Sequence, residues 1–154
     1  AGRAGGVGLW RAGGGRLGRG GPGRVGQRWS MSGETGSGVL AGDCASKAGV
    51  SSLAQSAGRA LGPRGVTVNA VCPGLVWTPM WRETATWLGQ NNPQFSQQDM
   101  TPEQVYEASV KAMTPLQRPT TVEDIAATVL FLLSDDARVL PGKAITVAGG
   151  IERH

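Results

Sequence analysis

The first 28 residues of the chain hold twelve glycines and six arginines with no acidic side chain, and this limits the fold more than any other feature. Glycine has no side chain to bury and loses the most conformational freedom on ordering. Residues 1–28 are therefore expected to form a disordered Gly/Arg-rich arm, leaving the core to residues 29–154. The formal charge of the 154-residue chain is +4. Without the six arginines of the arm, nine basic side chains face eleven acidic ones, so the basicity belongs to the arm. Three origins for the arm stay open: a Gly/Arg segment that tracks RNA phosphates, a targeting peptide, or a stretch read out of frame from GC-rich DNA.

Cys44 and Cys72 stand far apart with no CxxC or Cys/His grouping, and the single histidine is His154. No metal site is expected, and reduced thiols in a cytoplasmic protein are the default. The longest apolar run, IAATVLFLL at 125–133, is well short of the roughly 20 residues that span a bilayer. It reads as a buried helix, and no membrane partner is expected.

From Cys44 the texture changes. Ala45, Ala48, Leu53, Ala57, Ala60 and Leu61 recur at mostly three- and four-residue spacings before Gly62-Pro63, which predicts a helix with a stop signal. VTVNAVCPG, from Val66, predicts a strand ending in a turn. Residues 75–100 carry Trp77, Met80, Trp81 and Trp87 among polar and turn residues, and are expected to run as a long excursion over a surface or cleft. TPEQVYEASVKAM opens with a Thr cap, a proline and an acid, and TTVEDIAATVLFLL repeats that grammar with Glu123 and Asp124 at the positive end; both predict helices. GKAITVAGG predicts a short strand. Helix, strand, excursion, helices and strand suit an α/β fold.

The segments ASKAGV, RGVTVNAVCPGLVWTPM, RPTTVEDIAATVLFLLSDDA and PGKAITVAGG, in this order, resemble the C-terminal half of a short-chain dehydrogenase/reductase over about residues 29–150. The resemblance implies a partial Rossmann-like, doubly wound parallel sheet and an oxidoreductase that uses NAD or NADP on the hydroxyl or ketone of a small substrate. It also implies subunit contacts through the helix at 44–61 and through the last helix and strand, so a homo-oligomer.

In that family a Tyr-x-x-x-Lys pair does the acid–base chemistry, because residues four apart share a helix face and the ammonium favours the phenolate. Lys47 matches the lysine, which the resemblance also places on the nicotinamide ribose. The tyrosine position is Asp43. A carboxylate titrating near 4 has no proton to give a ketone at neutral pH, and it is shorter than a phenol. Asp43 equally suits a helix start, where an acid is favourable and can pair with Lys47. The family's catalytic serine corresponds to Ser30 or Ser32, with Gly33 at the aligned place, and turn or cap roles suit both serines.

Pro73, Gly74, Val76 and Thr78 match the turn that borders the nicotinamide, and Asn69 is expected to be structural. Ala148 stands where the family usually has an acid. Trp77, Met80, Trp81 and Trp87 occupy the place of the substrate lid, where they could line a pocket or anchor the lid by packing. The family's Gly-x-x-x-Gly-x-Gly spacing occurs at Gly2, Gly6 and Gly8, but repeats throughout so glycine-rich a tract that it carries no information. The chain is therefore expected to be truncated and catalytically impaired, with one face and edge of its sheet uncovered. Two further functions are a non-catalytic dimerisation module and nucleic-acid binding through the arm.

Overall fold

The structure, a computed structural model, describes residues 9–12, 24–28 and 41–151, with side chains from residue 48 onward. The described chain forms two compact units. The first contains residues up to Pro73 together with Glu123–Val147; the second contains Gly74–Val122 and the residues from Ala148.

The first unit is built on a four-stranded sheet in the order β1 (Leu9–Ala12), β2 (Arg24–Arg28), β3 (Thr67–Pro73) and β4 (Ala144–Val147). β2, β3 and β4 are parallel, and β1 runs antiparallel to β2. Two stretches of the glycine/arginine tract, which composition alone leaves without structure, are thus strands. Backbone pairing supplies what side chains do not: Val25, Gly26 and Gln27 sit opposite Val68, Asn69 and Ala70. β1 covers the outer edge of β2 and is itself the edge strand on that side of the described sheet.

β3 is the centre of this unit. Its side chains alternate between two cores, as the two-residue period of a strand requires. Val68, Ala70 and Cys72 face helix α1 (Ala41–Leu61), whose Val50, Ala54, Ala57 and Leu61 form a stripe at three- and four-residue spacing. Val71 joins the opposite core with Ile125, Val129 and Leu132 of helix α5 (Val122–Leu133) and with Ile145 and Val147 of β4. Both faces of β3 are covered. A strand enclosed on both sides reads as a continuous apolar run, as VTVNAVCP nearly does.

The helix boundaries follow local chemistry. α1 gives way to a 3-10 turn at Gly62–Arg64 and then to Gly65 at φ 71°, a left-handed position that suits glycine. Near its C-terminal end Gly58 lies against Gly142. A Cβ on Gly58 would stand 2.8 Å from the Gly142 nitrogen, so only glycine lets helix and loop meet there.

The second unit corrects the expected excursion at 75–100. Most of it is helical: α2 (Pro79–Asn91) and α3 (Pro93–Ser96) precede α4 (Pro102–Met113). Leu75, Ala85, Phe95, Val105, Tyr106 and Val110 form its buried core. Three threonine or asparagine caps followed by proline explain the starts. The Thr78 and Asn92 side-chain oxygens accept amide hydrogen bonds from Trp81 and Gln94, and Thr101 forms a reciprocal capping box with Gln104. No described helix is long and apolar enough to cross a membrane.

Candidate functional site

Asp43 and Lys47 both fall in α1, one helical turn apart, so the backbone puts them on the same side of the helix. Their side chains lie outside those described, and Ser30, Ser32 and Gly33 lie outside the described residues altogether.

Pro73 is the last residue of β3, and Gly74 opens the second unit. Within that unit the turn from Gly74 to Thr78 is tightly held. A Cβ on Gly74 would stand 2.6 Å from Ala148 Cα, so the absence of a side chain is what allows the two backbones to approach. The Leu75 carbonyl oxygen accepts two hydrogen bonds, from the Thr120 amide at 3.0 Å and from the Tyr106 hydroxyl at 3.0 Å. Val76, Trp77 and Thr78 are half-buried.

Thr78 Oγ1 accepts the Trp81 amide at 3.3 Å as the N-cap of α2. That bond uses a lone pair, and the hydroxyl proton remains available as a donor. A donor hydroxyl at the positive end of a 13-residue helix suits an anionic or carbonyl oxygen.

The four residues that the resemblance places in a lid divide. Trp77 and Trp81 pack on Tyr106, with ring centroids at 4.9 and 5.4 Å, and the Arg82 guanidinium sits 5.6 Å from the Trp77 ring centroid. Met80 and Trp87 are 69% and 57% exposed. Trp77 and Tyr106 also line a hollow of about 360 Å³ with Val110, Pro119, Glu103 and Lys111. Trp77 and Trp81 therefore pack into the core of the second unit, and Trp77 borders open space as well.

Tyr106 is the group that sequence reasoning missed. Burial raises its phenol above the ordinary value of 10.0. The sign follows from linkage: its contribution to stability is fully present below pH 10.0 and is lost as pH rises through the higher folded value. At neutral pH the hydroxyl is a donor. Asn69 is structural in this geometry, being fully buried with its Oδ1 accepting the Lys143 amide at 2.9 Å.

A family model described as enoyl-(acyl carrier protein) reductase matches residues 19–152. The chain belongs to the short-chain dehydrogenase/reductase family. The match to this family begins inside the glycine/arginine tract, ten residues before position 29. A short-chain dehydrogenase/reductase of Armillaria gallica is 36% identical over 122 residues, 79% of this chain and 42% of the relative. Among solved structures, sorbitol-6-phosphate 2-dehydrogenase SrlD from Erwinia amylovora superposes with a TM-score of 0.73 at 30% identity, covering 85% of this chain and 49% of that one. The actinorhodin polyketide ketoreductase with NADPH gives a TM-score of 0.74 at 28% identity, over 86% of this chain and 48% of its own. The chain thus spans about half the length, or less, of these short-chain dehydrogenase/reductases.

Proposed function

We propose that this chain carries the nicotinamide-binding turn and substrate lid of an NAD(P)-dependent oxidoreductase acting on the hydroxyl or ketone of a small substrate, with β2 and residues 29–154 belonging to the C-terminal half of its Rossmann domain. The observation that carries this reading is Thr78, whose hydroxyl caps α2 and keeps its proton for an acceptor. Thr78 and the Val76 backbone supply donors of the kind that the carboxamide or a phosphate of a dinucleotide takes. Lys47 supplies an ammonium for the ribose hydroxyls. The nicotinamide, when bound, supplies or accepts the hydride. The related proteins named for dehydrogenation of a sugar alcohol phosphate and for ketoreduction support the substrate class.

The same residues make turnover poor as the sequence stands. Asp43 stands at the family's tyrosine position, and an ordinary carboxyl, with a reference pKa of about 4, is a poor proton donor to a ketone oxygen. As a base toward an alcohol it is weak for the same reason.

The experiment is titration of the full chain with NADH and with reduced nicotinamide mononucleotide, following ligand fluorescence and thermal unfolding together. The residues named serve the nicotinamide end, so both ligands are expected to saturate with affinities within about threefold and to raise Tm. If neither binds, the oxidoreductase reading fails. Asp43→Tyr is expected to yield no measurable dehydrogenase activity in this chain; turnover by that variant would mean that the carboxylate alone had blocked the chemistry.

A second reading, self-association without catalysis, is favoured by the exposed small residues Ala48, Gly49 and Ser52 on α1, where a Cβ on Gly49 meets nothing within 4 Å. Sedimentation of the chain over a range of concentrations tests it, and a monomer throughout eliminates it.

A further inference from the structure

Tyr106 is the chain's single tyrosine and is 5% exposed. It sits on α4, thirty-one residues from the carbonyl that accepts its hydroxyl. That carbonyl belongs to Leu75, in the middle of the turn, and its second donor is the Thr120 amide. The C=O of Leu75 and the N–H of Val76 belong to one planar peptide unit. Two donors on the oxygen therefore fix the direction in which the Val76 amide points. The ring of Tyr106 adds a second grip, because Trp77 and Trp81, which flank Thr78, both pack on it. Ring and hydroxyl together hold residues 75–81 from one side chain.

We propose that Tyr106 is a positioning residue for the cofactor turn: its hydroxyl sets the Leu75–Val76 peptide in the orientation that presents Val76 and Thr78 to a nicotinamide, and it ties that turn to the lid helix α4. The inference rests on the oxidoreductase reading and goes beyond it, since it assigns Tyr106 a role exerted through the Leu75–Val76 peptide. The hydroxyl and the ring have separable tasks. The ring holds the lid together by packing, whereas the hydroxyl orients the turn. Tyr106→Phe keeps the first and removes the second.

The test compares the full chain with Tyr106→Phe and Tyr106→Leu in two measurements: amide hydrogen exchange at Thr120 and residues 76–78, and binding of NADH. Loss of one neutral hydrogen bond corresponds to a factor of roughly three to ten. In Tyr106→Phe, exchange at Thr120 and in the turn is expected to quicken by about that factor, and the Kd for NADH to rise by about the same, with Tm changed by only a few degrees. Tyr106→Leu is expected to lower Tm further. Unchanged exchange in Tyr106→Phe overturns the inference, and faster exchange with an unaltered Kd overturns the positioning role. A parent chain that binds no NADH defeats the oxidoreductase reading and this inference with it. That outcome is distinct from failure of the inference alone, in which parent and Tyr106→Phe bind equally well.

Discussion

Gly74→Ala is expected to destabilise the protein by about 3 kcal/mol, at the upper end of the range for overpacking a closed site. An added Cβ would lie 2.6 Å from Ala148 Cα, 2.7 Å from Ala148 Cβ and 3.2 Å from Thr120 Oγ1. The first of these is a backbone atom, so no side-chain rotation relieves the clash. Neighbouring hydrogen bonds restrain the backbone as well: Gly149 O accepts the Leu116 amide, and Ala148 O accepts the Ile151 amide. Urea unfolding measures the effect, with Gly49→Ala as the control of opposite sign. Gly49 lies within α1 with open space where the Cβ would go, so alanine there is expected to add roughly 0.5–1 kcal/mol. Equal midpoints for Gly74→Ala and the parent would show that the two backbones can separate freely.

Asn69→Asp is expected to be as damaging at neutral pH, for a different reason. Asn69 is fully buried, and its Oδ1 accepts the Lys143 amide, while no described group accepts from Nδ2. Aspartate has nearly the same shape but would bury a charge on one hydrogen bond, and desolvation raises the pKa of such a carboxyl. The unfolded chain ionises near pH 4, so the penalty is absent below that value and grows as pH rises toward the raised folded value. The difference in stability between variant and parent is expected to be small at pH 4 and about 3 kcal/mol at pH 7, measured by unfolding both at each pH. A difference independent of pH would place the cost in the geometry of the hydrogen bond instead.

These two sites were unequally legible. Asn69 stands in a strand pattern that any reader of VTVNAVCPG recognises, and its burial follows from the apolar residues around it. α4 and α5 were legible because their caps and apolar periods are local signals. α2 carries the same opening, Thr78-Pro79, as the Thr101-Pro102 that announces α4. That signal was present, but two tryptophans, two interior threonines and a glycine obscured the helical period. β1 and β2 were not legible, because their pairing is dictated by partners elsewhere in the sheet and their own residues show no alternation. Tyr106 lay beyond local reasoning for the same kind of reason. Its helix is evident, but the Leu75 carbonyl it serves is brought to it only by the fold of the second unit. The spacing of Asp43 and Lys47 is a property of sequence that α1 carries into structure.

The enclosure of β3 between α1 and α5 has a consequence for how the chain is made. Its partners on one side precede it in sequence, while those on the other, α5 and β4, come after the whole of residues 74–122. During synthesis β3 emerges with only one face and one edge satisfied, and it must wait for a further seventy or so residues. The intervening segment carries the buried core of the second unit, from Leu75 to Val110, which can begin to condense in the interval, although that unit is completed only by the residues from Ala148. A pause of the ribosome between residues 73 and 144 therefore holds the chain with the apolar side of its central strand in water and its β4 edge unpaired, the condition in which strands find partners in other chains.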